Sequence, residues 1–126
     1  MIKNRTILVA DDNAAIREML AQGLTMMGYR VLTASDGEEA YRAWTTGSVD
    51  GIICDIMMPG MDGISLCKLL RDKGFVGPII LLTVLDQIKK MGEGLVMAGA
   101  DRYIVKPCDV DTLRDHLEEL FAREAV

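Results

Sequence analysis

The sequence has few of the features that mark membrane, secreted or nucleic-acid-binding proteins. It contains no apolar run long enough to span a bilayer, and residues 1–5 lead into a strand-like segment without the pattern of a signal peptide. Its 19 acidic residues outnumber its 14 basic ones, which gives a net charge of −5. An acidic chain is poorly suited to a broad contact with nucleic acid, so we expect neither direct nucleic acid binding nor membrane insertion.

Cysteine and histidine are also scarce. Cys54, Cys67 and Cys108 are odd in number and show no pairwise spacing of metal ligands. Structural thiols in a reducing compartment explain them better than disulfides, which predicts a cytoplasmic location. The one histidine, His116, lies among charged residues, which indicates a solvated position.

Short aliphatic runs alternate with stretches of helical periodicity throughout the chain. Most of these runs are apolar nearly throughout, as is typical of strands covered on both faces in a parallel sheet. The candidate strands are Thr6–Ala10, Arg30–Ala34, Gly51–Cys54, Pro78–Leu82 and Arg102–Val105. The order is strand then helix five times over, and right-handed crossovers then produce a doubly wound α/β sheet. Without a repeat or a linker, we expect residues 1–126 to form a single domain.

Capping residues and apolar stripes place the five helices. Asp36 and Asp109 are candidate N-caps of the second and last helices. Two helices have clear inner stripes, which are Ile16, Met19, Leu20 and Met27 in the first and Leu113, Leu117, Leu120 and Phe121 in the last. The fourth helix, starting near Asp86, contains Gly92 and Gly94, and each glycine lowers helix stability by about 1 kcal/mol relative to alanine.

Polar side chains with distinctive chemistry stand at the ends of four candidate strands. They are Asp11 and Asp12 after the first strand, Asp55 after the third, Thr83 after the fourth and Lys106 after the fifth. In open α/β sheets, sites form outside the carboxyl ends of the strands. We therefore expect three carboxylates, a hydroxyl and an ammonium to meet in one cleft.

This set suits a magnesium-dependent phosphoryl transfer. Three neighbouring carboxylates repel one another unless a cation intervenes, and oxygen ligands without nearby His or Cys favour Mg²⁺. Asp55 would then stay ionised as a nucleophile, while Lys106 and Thr83 would meet the phosphoryl oxygens. Any one of these residues alone is better explained as a helix cap or a turn, but the combination favours the functional interpretation.

The chain resembles the response-regulator receiver family over essentially its whole length, from Ile7 to Phe121. The most specific segments are residues 55–63, with the sequence DIMMPGMDG, and residues 98–107, with the sequence AGADRYIVKP. The resemblance implies a flavodoxin-like sheet with strand order 2-1-3-4-5 and five helices. It also implies a phosphoacceptor switch of a two-component phosphorelay.

The resemblance further implies a role for each carboxylate. Asp55 would accept the phosphoryl group. Mg²⁺ would be held by Asp12 directly, by Asp11 through water, by Asp55 and by the backbone carbonyl of Met57.

Signal transmission is implied by the same resemblance. Thr83 and Lys106 would bind the phosphoryl group, and Tyr103 would change rotamer as Thr83 moves toward it. The Lys106–Pro107 bond is expected to be cis. The donor would be a histidine kinase or a phosphotransfer protein, and the face of helix 4, strand 5 and helix 5 would contact a downstream domain or protein. Such a domain assists its own phosphorylation and dephosphorylation but is not otherwise an enzyme.

Some residues depart from the family's common pattern. Val84 stands where a small residue is common, which would narrow access to the site, and Cys108 stands where Phe is common. The stretch from residue 83 to residue 106 is one residue longer than usual. These differences affect the rate and the output face more than the acidic set.

Two other kinds of protein fit the sequence less well. A phosphatase with an aspartyl nucleophile usually needs a carboxylate two residues later, where this chain has Met57. A flavin carrier of the same fold needs a phosphate-binding loop after the first strand, where Asp11 and Asp12 would repel a phosphate.

Overall fold

The computed structural model describes residues 4–91 and 98–124, in which five parallel strands alternate with five helices. In chain order the elements are β1 Thr6–Ala10, α1 Ala14–Met26, β2 Arg30–Ala34, α2 Gly37–Thr46, β3 Gly51–Asp55, α3 Gly63–Asp72, β4 Ile79–Thr83, α4 Leu85–Met91, β5 Arg102–Val105 and α5 Val110–Glu124. Gly92 and Gly94, which we predicted to weaken the fourth helix, lie outside the described residues. Among the described residues, no helix is both long and apolar enough to cross a membrane.

The strands form one sheet in the order β2-β1-β3-β4-β5, which confirms the predicted topology. Strands β3 and β4 are buried at every residue, as the continuous apolar runs predicted. Successive side chains point to opposite faces of a strand, and here they enter two separate clusters. Leu8 and Ile52 pack with residues of α2 and α3, whereas Ile7 and Ile53 pack with residues of α1 and α5.

Polar side chains cap the helices and set the geometry of the loops. Asp36 and Asp109 accept hydrogen bonds from the backbone of α2 and α5, which confirms the two predicted caps. Asn13 and Asp62 cap α1 and α3 in the same way. The loops that follow β1 and β3 are therefore held at both ends, by a strand and by a capped helix.

Three details of the sequence prediction need correction. Strand β3 extends through Asp55 and β4 through Thr83, because the pairings of Asp55 with Leu82 and of Thr83 with Val105 continue the ladder by one residue. Met19 is not part of the inner stripe of α1. It is half exposed at the rim, while Leu20 and Leu24 are buried.

The third correction concerns His116, which is partly buried instead of solvated. Arg102 on β5 donates a hydrogen bond from Nε to His116 Nδ1 at 3.3 Å. Arg102 also forms an ion pair with Glu119 on α5. This contact between the partly buried guanidinium on β5 and the imidazole on α5 joins residues far apart in sequence, so the residues around His116 gave no sign of it.

Candidate functional site

Three carboxylates meet at the carboxyl ends of β1 and β3. Ala10 pairs with Cys54, so Asp11 and Asp55 follow at adjacent positions of neighbouring strands. One oxygen from each of Asp11, Asp12 and Asp55 lies within 4.8 Å of the others. Asp11 is fully buried, Asp55 nearly so, and Asp12 is exposed. The acidic cluster thus opens to solvent on the side of Asp12.

The loop after β1 is held in place by hydrogen bonds to Asp11. The backbone N–H of Asn13 donates to Asp11 Oδ1 at 2.9 Å. Arg17, which the sequence analysis did not single out, donates from Nη1 to the backbone oxygen of Asp11 at 2.7 Å. The only feature of the sequence that could have indicated this role is the position of Arg17, about one helical turn after the start of α1. The bond from Asn13 orients the Asp11 carboxylate, and the bond from Arg17 holds the backbone of Asp11 in place.

Lys106 supplies the positive charge of the cluster. Its Nζ lies 3.2 Å from Asp11 Oδ2 and 3.3 Å from Asp55 Oδ2. Its backbone N–H donates to the Thr83 carbonyl at 2.7 Å, which ties the end of β5 to the end of β4. The Lys106–Pro107 peptide bond is cis, as predicted.

The charges at this site are not balanced by Lys106 alone. Desolvation raises the pKa of Asp55, and the charge of Asp11 raises it further, while Lys106 opposes both. Burial acts against the charged form of Lys106, but the carboxylates of Asp55 and Asp11 outweigh it and raise the pKa of the ammonium. Lys106 therefore stays protonated, and ionisation of Asp55 is still less favourable in the folded protein than in water.

A hard divalent cation fits this donor set. The three candidate ligand side chains are all carboxylates, and the exposed Asp12 leaves an open side at which water could complete the coordination of a bound ion. A second positive charge would also relieve the repulsion that raises the pKa of Asp55. Met57 lies two residues after Asp55 in the loop, with its side chain more than half exposed.

Thr83 is the last residue of β4, and Tyr103 lies on the neighbouring strand β5. Thr83 is completely buried, and its hydroxyl is 2.9 Å from Gln87 Oε1 on α4 and 3.1 Å from the carbonyl of Val84. Tyr103 pairs with Leu81 in the sheet, and its ring packs against the cluster formed with α2 and α3. Desolvation raises the pKa of Tyr103, in keeping with a hydroxyl oxygen that lies inside the protein.

Val84 and Cys108 line an apolar pocket of about 270 Å³ that Lys106 also borders. The exposed side chain of Val84 stands next to the residues that would meet a phosphoryl group. Both departures from the common family pattern therefore face the same pocket beside the site.

The family model for the response regulator receiver domain matches residues 7–118. The chain belongs to this family. Among curated proteins, it is 40% identical over 117 residues to the probable transcriptional regulator ycf27 of Cyanidium caldarium, covering 93% of this chain and 46% of that protein. It is 38% identical over 123 residues to the alkaline phosphatase synthesis transcriptional regulatory protein PhoP of Bacillus subtilis, covering 98% and 51%. The chain spans about half the length of the curated relatives it matches.

Solved receiver domains have the same fold. The receiver domain of the Francisella response regulator 1452 superimposes with a TM-score of 0.86 at 37% identity, covering 96% of this chain and 99% of that one. The response regulator TrrA of Thermotoga maritima, in complex with Mg²⁺ and BeF, has a TM-score of 0.80 at 37% identity, covering 92% and 98%. This receiver domain is thus part of two-component signalling, and its Asp11, Asp12 and Asp55 form an acidic cluster that could hold a metal ion.

Proposed function

We propose that this receiver domain is the phosphoacceptor switch of a two-component phosphorelay and that Asp55 takes the phosphoryl group. The observation that carries the proposal is the nearly buried Asp55 carboxylate in contact with Lys106 and beside two further carboxylates. Asp11 is less suitable as a nucleophile because Asn13 and Lys106 engage its two oxygens. Asp12 is exposed, so its carboxylate stays hydrated and is a weaker nucleophile than a desolvated one.

The proposed reaction is an in-line transfer from a phosphohistidine. An ionised oxygen of Asp55 attacks the phosphorus atom, the phosphorus–nitrogen bond breaks, and the imidazole leaves with the electron pair, which produces an acyl phosphate. Lys106 faces Asp55 and would pair with the phosphoryl oxygens after transfer. Mg²⁺, held by Asp11, Asp12, Asp55 and the Met57 carbonyl, would neutralise charge on the phosphoryl group when bound. The same arrangement would assist attack by water and so the domain's own dephosphorylation.

Partners follow from this chemistry. The donor would be a histidine kinase or a phosphotransfer protein, and the output would leave through the face of α4, β5 and α5 toward a downstream domain or protein. The pairing of Thr83 with Val105 supports this face, because it joins the end of β4 directly to the strand that carries Tyr103.

Residues 1–126 would act as one receiver domain, and free Cys54, Cys67 and Cys108 support a reducing, cytoplasmic location.

Metal removal should suppress phosphorylation. Incubation with a small-molecule phosphodonor and Mg²⁺ is expected to add the mass of one phosphoryl group, measured on the intact protein. EDTA should slow this gain at least about tenfold, because a bound metal stabilises the transition-state charge by several kcal/mol. Excess Mg²⁺ should restore the rate. An equal rate in EDTA would show that the acidic cluster works without a metal.

Thr83→Ala should separate phosphorylation from the conformational response. The variant keeps the nucleophile and Lys106, so it should still gain phosphate. One charge-assisted hydrogen bond contributes roughly 1.5–3 kcal/mol, and a nearly complete two-state shift needs about 5.5 kcal/mol. Losing that bond should therefore leave a partial response, measured as smaller NMR shifts of Tyr103 and its neighbours on adding beryllofluoride with Mg²⁺. A full response in Thr83→Ala would remove Thr83 from the proposed coupling.

A further inference from the structure

The Thr83 hydroxyl is held by α4 and not by the acidic cluster. Gln87 Oε1 accepts its hydrogen bond at 2.9 Å, and the alternative acceptor, the Val84 carbonyl, lies 3.1 Å away. Thr83 is fully buried and Gln87 is partly buried, so water is poorly placed to compete for this contact. Gln87 is the third residue of α4, and its backbone N–H donates to the Val84 carbonyl at 3.0 Å in the first turn.

We propose that Gln87 is a positioning residue that retains Thr83 in the unphosphorylated conformation and competes with the phosphoryl group for its hydroxyl. This inference rests on the proposed function, in which Thr83 binds the phosphoryl group. A threonine hydroxyl has one hydrogen to donate, so the bond to Gln87 must break before that hydrogen reaches a phosphoryl oxygen. The Val84 carbonyl is backbone and would be present with any side chain. Gln87 is therefore the acceptor of the Thr83 hydroxyl that a substitution can remove.

The same contact joins the phosphorylation site to α4. In a capping box, the third helical residue reaches back to the backbone of the N-cap. Here Gln87 reaches back to the hydroxyl of a strand residue, so α4 is tied to the end of β4 through a side chain. When Thr83 moves to the phosphoryl group, the first turn of α4 loses this tie. Movement of the Thr83 hydroxyl thereby removes a side-chain contact of the first turn of α4, and this effect does not depend on Tyr103.

The experiment compares how readily the parent and its variants reach the activated conformation. Beryllofluoride is titrated at saturating Mg²⁺, and backbone amide NMR follows the concentration at half-saturation. Gln87→Met removes the acceptor and keeps the length and apolar stem. It should lower that concentration about threefold to tenfold, the range that the loss of one neutral hydrogen bond produces. Gln87→Glu keeps an acceptor oxygen and should not lower it.

The matched control is Lys89→Met, which changes an exposed residue on the same helix and should behave as the parent. If Gln87→Met only loosened α4, it would have the same effect in the parent and in Thr83→Ala. If it acts through the contact with Thr83, its effect must vanish in Thr83→Ala, which lacks the hydroxyl. Gln87→Met in a Thr83→Ala background should therefore leave the half-saturation concentration of that background unchanged. Parental behaviour of Gln87→Met, or an equal decrease in the Thr83→Ala background, overturns the inference.

Failure of the proposed function looks different. If the parent shows no magnesium-dependent response to beryllofluoride, or if Asp55→Asn responds as the parent does, the site assignment itself is wrong and the inference falls with it. If the parent responds, Asp55→Asn does not, and Gln87→Met matches the parent, only the role of Gln87 is overturned.

Discussion

Asp55→Asn is expected to abolish phosphorylation while leaving the domain folded. The amide cannot act as the nucleophile at Asp55, and the neighbouring Asp11 has both oxygens engaged by Asn13 and Lys106. Intact-mass measurement with a small phosphodonor and Mg²⁺ should show no gain in the variant. Asp62→Asn is the matched control, because Asp62 lies in the same loop and caps α3, a role that asparagine fills equally well. A gain in Asp55→Asn at the parental rate would place the acceptor elsewhere.

The stability of Asp55→Asn provides an independent check that lost phosphorylation is not misfolding. The folded protein raises the pKa of Asp55, mainly through desolvation, so its ionised form is less favourable in the folded than in the unfolded state. This cost is fully present above the folded-state pKa and disappears as the pH falls toward the ordinary value of 3.8. In EDTA near neutral pH, thermal unfolding should therefore show the variant at least as stable as the parent. The advantage should shrink in acid, and a clear loss of stability at neutral pH would contradict the charge balance described here.

Arg71→Met is expected to cause the largest loss of stability among the substitutions considered. The guanidinium donates to the carbonyls of Gly99, Phe75 and Gly77 at 2.9, 3.0 and 2.8 Å, and pairs with Asp101 at 3.0 Å. Methionine retains the apolar stem but leaves these acceptors without their donor. Because hydrogen bonds from a charged group contribute roughly 1.5–3 kcal/mol each and are not additive, we expect a loss of about 2–4 kcal/mol in unfolding free energy.

Arg71 also positions the site from a distance. Its partner Asp101 accepts a hydrogen bond from the backbone N–H of Ile79 at 2.9 Å, so the start of β5 is fixed to the start of β4. Strand β5 leads to Lys106. Denaturant unfolding of Arg71→Met is to be compared with that of Arg114→Met, whose solvent-exposed ion pairs with Asp111 and Asp115 should contribute little to stability. Similar small losses in both variants would show that the network around Arg71 is not a major source of stability.

Local sequence patterns were sufficient for the fold and for the composition of the site. Continuous apolar runs separated by helical stripes leave few arrangements other than a doubly wound parallel sheet, and the observed strand order agrees with the family resemblance. Parallel strands of equal direction also bring their carboxyl ends to one edge. That geometry explains why Asp11, Asp55 and Lys106, each predicted at a strand end, meet within ion-pair distance.

Other features depended on distances between residues far apart in sequence. Met19 follows the helical period but lies at the rim of α1, because the sheet and α5 cover only part of the apolar stripe. Nothing in the sequence around Arg71 indicates that two of its four partners are Gly99 and Asp101, almost thirty positions later. His116 is drawn inward by Arg102 on a neighbouring strand for the same reason.

The sequence by itself determined which chemical groups reach the carboxyl edge of the sheet, because the alternation of strands and helices implies parallel strands and the residue at each strand end is read directly from the sequence. Only the tertiary structure decided how those groups are engaged. Thr83 was identified from its place at the end of a strand, but its hydrogen bond to Gln87 depends on the angle at which α4 leaves β4 and on two rotamers. The helix angle and the rotamers are set by packing among many residues at once, so the periodicity of the sequence does not predict them.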